Sequence, residues 1–204
     1  MAQSKFKIPQ PKIYSCQEWG AKPPVHTFRT TDPKYIIIHH MVTENRMLCT
    51  SPKTAKETAF SLQRECQQFH MEGNGWADTG QHFTVSRDGV IMEGRHGSLV
   101  AARDGDCILG AHAADPDTGA NENASWGIEC EGTYTSSKMP LPQWNALVAL
   151  CTWLSAQCLI DSTRINGHRE TGCRTACPGD WLYGKLPDLR TAVHDEKLKG
   201  KVQP

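Results

Sequence analysis

The sequence predicts an α/β domain built on a central mixed β-sheet flanked by helices, and three observations predict it. Residues 35–38, Tyr-Ile-Ile-Ile, have the β-branched composition of a buried strand. Two longer segments repeat apolar residues at steps of three and four, the spacing of helices. Between those segments, Arg87-Asp88-Gly89 separates two short β-prone stretches as a hairpin turn does. At 204 residues the chain is long enough for one domain with its own core and cramped for two. The expected boundaries are an N-terminal extension over 1–13, a domain over 14–195 and a flexible tail over 196–204.

Each element has its own justification. Pro9, Pro11, Pro23, Pro24 and Pro33 make the first 34 residues a lead-in that wraps a core. The strand at 35–38 ends in His39-His40, so two imidazoles emerge where it leaves the sheet. Ser51-Pro52 supplies an N-cap and a first-turn proline, and Ala55, Ala59, Leu62, Cys66 and Phe69 continue as one helical stripe. Residues 81–86 read as a strand and 90–93 as its hairpin partner. Residues 113–126 have loop chemistry. Residues 126–132 form a strand with Glu129 and Glu131 on one face. Pro142 opens the clearest helix, striped by Trp144, Leu147, Val148, Cys151, Leu154 and Cys158. A last helical stretch covers 181–197, interrupted at Pro187.

Composition excludes several function classes. Lys plus Arg and Asp plus Glu are both 22, so the basic footprint of a nucleic-acid binder is missing. No apolar run is long enough to cross a bilayer, and the first seven residues lack the apolar stretch of a secretory signal. The nine cysteines are odd in number, so at least one stays outside any intrachain disulfide set. Cys151 and Cys158 lie about 10 Å apart on one helix, and Cys49 and Cys66 about 20 Å apart on a straight one, both beyond disulfide reach.

The chemistry concentrates in residues 167–179, where His168 and Cys177 occupy a loop punctuated by Gly and Pro. Such a loop can bring two residues nine apart onto one ion. Zinc takes imidazole nitrogen and thiolate sulfur, and a catalytic site keeps its fourth position for water. A third protein ligand must come from elsewhere, and the His39-His40 pair is the best donor. The three-residue spacer between Cys173 and Cys177 does not match the C-x-x-C of thioredoxin-like redox pairs.

Five segments in series then carry a resemblance. They are Tyr35-Ile36-Ile37-Ile38-His39-His40, Gly80-Gln81-His82-Phe83-Thr84-Val85-Ser86-Arg87-Asp88-Gly89, Gly110-Ala111-His112, Gly127-Ile128-Glu129-Cys130-Glu131-Gly132, and Gly167-His168-Arg169 with Thr175-Ala176-Cys177-Pro178-Gly179. Together they resemble the zinc-dependent N-acetylmuramoyl-L-alanine amidases, the family shared with peptidoglycan recognition proteins and amidase-type phage lysins. Ser15-Cys16-Gln17-Glu18-Trp19-Gly20-Ala21 is similar to the opening segment of the recognition proteins, so the likeness spans about residues 14–190.

The resemblance implies a mixed sheet with zinc at one end of a groove, held by His39, His168 and Cys177, with His40 supporting the site. It implies peptidoglycan as substrate and hydrolysis of the amide between N-acetylmuramic acid and L-alanine, with Glu129 as the proton-shuttling carboxylate. Glu131 is expected to be structural, His112 to line the cleft and contact substrate, and His82 to be structural. His26, His70, His96 and His194 receive no role. Three departures stand out. Gln81 replaces a tyrosine that some members use, Thr175 replaces a lysine of some amidases, and the His168–Cys177 spacing is one residue longer than in many relatives. Thr175 is expected to donate to a developing oxyanion, and Cys173 to stay off the metal. The alternative is a non-catalytic peptidoglycan-binding module, whose members typically replace the cysteine ligand. A monomer is expected, acting on the cell wall after unseen export or release at lysis.

Overall fold

Ile36, Ile37 and Ile38 are fully buried because their strand lies between two others in a sheet covered on both faces. The structure is a computed structural model and describes residues 7–200. The main sheet has six strands: β1 (Ile13–Tyr14), β2 (Ile36–His40), β3 (Phe83–Val85), β4 (Ile91–Glu93), β5 (Trp126–Cys130) and β6 (Ile165–Gly167). They lie in the order β1-β4-β3-β5-β2-β6. The β3–β4 hairpin is antiparallel and every other pairing is parallel, so the sheet is mixed as the sequence predicts.

Period-two alternation divides the core between two helical layers. Ile36, Ile38, Trp126 and Ile128 face Leu147, Leu150 and Leu154 of α4 (Leu141–Gln157), which packs beside α6 (Leu186–Lys199). Met92 belongs to a second cluster, with Cys16 and Trp19 of α1 (Cys16–Trp19) and Ala59 of α2 (Pro52–Gln68). α3 (Ser98–Asp104) and α5 (Asp180–Gly184) complete the helices. In the register of β2 and β5, His39 lies opposite Glu129, and Glu129 lies opposite Thr84 of β3. Three neighbouring strands thus put His39, Glu129 and Thr84 side by side on the α2 face, near the ends where the parallel strands finish.

Several elements differ from expectation for visible reasons. Ser51 does cap α2, accepting from the Thr54 amide at 3.2 Å. The helix then widens into a π turn over Phe69–Gly73, which rotates Phe69 off the apolar stripe and leaves it 63% exposed. The 113–126 loop contains a small ribbon, Ala114–Asp115 against Ala120–Asn121. The break in the final helical stretch is at Lys185, and Pro187 sits in the first turn of α6, where its missing N–H costs nothing. The expected tail begins late, because α6 continues to Lys199; residues 201–204 lie outside the described residues. The expected N-terminal extension supplies β1 through Ile13, and the Lys7 amide donates to Gly200 O at 2.8 Å. Residues 1–6 are not described. All nine cysteines are free thiols.

Candidate metal centre

His39 comes from the last turn of pleat in β2, His168 from the segment just after β6, and Cys177 from the loop that follows. β2 and β6 are paired in parallel, so the two histidines arrive at the same sheet edge, with ring centroids 4.4 Å apart. One ligand atom from each of His39, His168 and Cys177 lies within 4.8 Å of the others. Cys177 Sγ is 3.7 Å from His39 Nδ1, near the roughly 3.5 Å that a Zn–N and a Zn–S bond span at the tetrahedral angle. Cys173, four residues earlier, is buried but is not part of the cluster.

The site fits a metal on its own chemistry. His168 Nε2 is buried and has no hydrogen-bond partner among the described residues, a cost that a bound cation removes. Burial lowers the pKa of His39 well below the ordinary imidazole value, and the neighbouring His112 and His168 add to it. Burial likewise lowers that of His168. Both rings are therefore neutral and carry the lone pair a metal needs. Burial pushes the Cys177 thiol up to about 12, opposed by the His40 backbone amide that faces the sulfur. Thiolate formation there depends on a cation.

His112 is joined to this cluster through hydrogen bonds whose direction is determined. Its Nε2 lies 3.0 Å from Ser125 O, and a carbonyl only accepts, so Nε2 carries the hydrogen. Burial pushes the His112 pKa down to about 3, so the ring is neutral and Nδ1 is a bare acceptor. His39 Nε2, 3.0 Å from that Nδ1, must then be the donor, and the free lone pair of His39 falls on Nδ1, the nitrogen that faces Cys177. A backbone carbonyl two rings away thus fixes the tautomer of the candidate ligand. Gly127 makes room for this arrangement, since a Cβ there would come within 2.6 Å of the His112 ring. Both His112 nitrogens are committed within the protein, which leaves none for the substrate contact expected from sequence. His82, as expected, is structural: its Nε2 donates to Ile108 O at 2.7 Å and its Nδ1 accepts from the Gly127 amide at 2.9 Å.

A cavity of about 280 Å³ opens onto the cluster, lined among others by Glu129, Gln81, His70 and Trp76. The Glu129 carboxylate makes no hydrogen bond or ion pair among the described residues, and burial alone pushes its pKa up to about 7. Val42 stands at the mouth, 68% exposed and at a φ of 58°, a strained conformation for a β-branched residue. Thr175 does not line the cavity; its Oγ1 accepts from the Cys177 amide at 3.1 Å and so shapes the loop that presents the sulfur. His70, to which the sequence assigns no role, enters the cavity from the π turn that follows α2, four residues after Cys66.

The sequence profile of the N-acetylmuramoyl-L-alanine amidase family matches residues 29–180, the stretch that contains all of these groups. The chain belongs to this family. Among amidase-family relatives, peptidoglycan recognition protein 1 of Mus musculus is 30% identical over 172 residues, covering 81% of both chains. An N-acetylmuramoyl-L-alanine amidase of Sus scrofa is 31% identical over 188 residues, which are 86% of this chain but 27% of that protein. Among solved structures, wild-type Drosophila PGRP-LB superposes with a TM-score of 0.66 at 28% identity, over 86% of this chain and 92% of that one. The amidase LysC from Clostridium intestinale shares the fold, with a TM-score of 0.65 at 22% identity over 90% of this chain and 98% of that one.

Proposed function

We propose that the protein is a zinc-dependent N-acetylmuramoyl-L-alanine amidase that hydrolyses the bond between the lactyl group of N-acetylmuramic acid and L-alanine in peptidoglycan. The observation that carries this is the convergence of His39, His168 and Cys177 beside an unpartnered carboxylate in one cavity. His39 Nδ1, the orphaned His168 Nε2 and Cys177 Sγ would hold the ion and leave a position open. Bound there, zinc supplies a Lewis acid that acidifies water and polarises the scissile carbonyl.

The remaining steps belong to the chain. Glu129 accepts the proton of the attacking water and returns it to the departing alanine nitrogen, and a carboxylate whose pKa lies near neutrality can do both in turn. Gln81 cannot take that role, because an amide does not titrate near neutral pH. Its Nε2 is occupied with Cys66 Sγ and Thr84 Oγ1. Thr175, which lies off the cavity, positions Cys177 by accepting from its amide. His112 holds His39 in its ligand tautomer. The exposed Val42 offers an apolar contact at the cavity mouth. No helix among the described residues is long and apolar enough to cross a membrane, and we place the action of the protein on the bacterial cell wall, as a monomer.

The test is metal analysis of the purified protein together with digestion of purified peptidoglycan. About one tightly bound zinc per chain is expected, with new lactyl carboxylates and free L-alanine amines released in equal amounts. Retention on peptidoglycan without release of those termini would establish the binding module in place of the enzyme.

A further inference from the structure

Beside the cavity, whose lining includes His70 and Glu129, lies a second convergence of metal-binding atoms, distinct from His39, His168 and Cys177. Cys66, His70 and Glu129 each offer one ligand atom, and these lie within 4.8 Å of one another. Cys66 is in the last turn of α2 and His70 four residues on, in the π turn, so both project from one side of the helix. Trp76 stacks on the His70 ring with centroids 4.8 Å apart and fixes its plane. Burial and the nearby Glu129 raise the pKa of the Cys66 thiol, opposed by Gln81 Nε2, which donates to Sγ at 3.4 Å, so the thiolate forms there only with a cation bound. The third donor, the Glu129 carboxylate, reaches in from β5 without a partner of its own. Thiolate, imidazole and carboxylate are all zinc ligands, and three of them leave a fourth position for water.

We propose that Cys66, His70 and Glu129 bind a second divalent ion, zinc by donor type, and that this ion inhibits hydrolysis by occupying the Glu129 carboxylate. The inhibition, unlike the binding, rests on the role given to Glu129 above. This site is the weaker of the two. His70 Nδ1 already accepts from the Gly80 amide at 3.3 Å and lies 3.6 Å from Cys66 Sγ. A metal bond at that nitrogen displaces both contacts, at a cost of up to about tenfold in affinity for each. Repulsion from the ion at His39, His168 and Cys177 weakens the site further. The first site therefore fills first, and the second fills in excess metal.

The experiment titrates zinc chloride into the purified protein at neutral pH, counts bound ions by equilibrium dialysis with metal analysis, and follows peptidoglycan hydrolysis along the same titration. Two ions per chain are expected, hydrolysis rising with the first and falling about a hundredfold with the second, as loss of general-base assistance does. Cys66→Ser and His70→Ala should each bind one ion and show no falling limb, while Cys177→Ser should keep only the weaker ion. His70 is half-buried, so His70→Ala reports on the site even where Cys66→Ser folds poorly. A single ion in the unmodified protein at saturating zinc would overturn the site. So would a second ion retained by both Cys66→Ser and His70→Ala. A second ion that both variants lose, with no falling limb in the unmodified protein, would support the site and overturn the general-base role of Glu129.

Discussion

Glu129, the fourth residue of β5, faces the cavity without a partner, whereas Glu131, just past the end of the strand, is held from three directions. Arg46 grips Glu131 through Nε to Oε1 at 2.6 Å and Nη2 to Oε2 at 2.9 Å, and the Arg87 amide donates to Oε2 at 2.7 Å. Asp88 completes the network, accepting from Arg46 Nη2 at 2.6 Å and from the Cys49 amide at 2.7 Å. Two glutamates a strand period apart thus have opposite fates. Where partners surround a carboxylate, it ties loops together. Where a carboxylate is buried and nothing donates to it, its proton is held to near neutrality and, in the proposed mechanism, becomes available for transfer. Partnering separates the structural group from the one proposed to react.

The largest expected effect would break this contrast if it failed. Glu129→Gln keeps shape and removes the titrating group, so turnover on peptidoglycan should fall by roughly two to four orders of magnitude with zinc content unchanged. Near-normal turnover with the metal in place would remove Glu129 from the mechanism. The converse substitution, Glu131→Gln, should act on the fold. It leaves the half-buried Arg46 with one carboxylate, Asp88, in place of two. The expected loss is about 2–3 kcal/mol of stability, below the cost of a fully buried pair because Arg46 is partly solvated. Turnover per folded molecule should stay within a few fold. Denaturant midpoints beside active-site-normalised rates would separate the two glutamates.

Much of this contrast is legible in the sequence, and the illegible parts have a common cause. The order of strands and helices follows from β-branched runs and helical stripes, and His39, His168, Cys177 and Glu129 lie in motifs that point to one cavity. What sequence does not record is the backbone as a partner. The tautomer of His39 depends on Ser125 O through His112, and the pose of Thr175 depends on the Cys177 amide. A carbonyl has no residue identity to recognise. The same holds for the exposed Phe69, displaced by a π turn that no periodicity announces. His70 is a different case: its spacing from Cys66 is visible in the sequence, but only the fold that brings Glu129 within reach of both gives it meaning.

The contrast can be sharpened in metal-free protein by pH. The folded-state pKa of Glu129 is about 7 against an ordinary 4.5. Below about pH 4.5 the carboxyl is neutral folded and unfolded, and its burial costs nothing electrostatic. Between 4.5 and 7 the unfolded chain releases the proton and the folded one retains it, so stability falls as pH rises. Above 7 both forms are ionised and the loss is complete, at roughly 3 kcal/mol. Glu129→Gln should lack this component. With zinc chelated, the variant should match the unmodified protein at pH 4 and exceed it at pH 8 in urea midpoint. Parallel profiles would show that burial of this carboxylate is not what stores its proton.

The smallest effect tests whether the partnering rule holds inside the site itself. His112 lines the cavity, as a substrate-binding residue would, but both of its nitrogens are bonded within the protein. The rule therefore assigns it to geometry. His112→Ala should free the His39 ring to rotate and to adopt the other tautomer, lowering zinc affinity by about 10- to 100-fold, the usual worth of such a supporting residue. The amide oxygen of His112→Gln can still accept from His39 Nε2–H, so that variant should recover part of the affinity. Long-range proton–nitrogen spectra of the histidine rings in metal-free protein should show hydrogen on Nε2 of both His39 and His112 before substitution. KM for peptidoglycan, measured with the His39–His168–Cys177 site filled and no excess zinc, should be unchanged in His112→Ala. A raised KM with normal zinc affinity would reverse the assignment, because a ring that touched only His39 and Ser125 could not weaken substrate without first disturbing the metal.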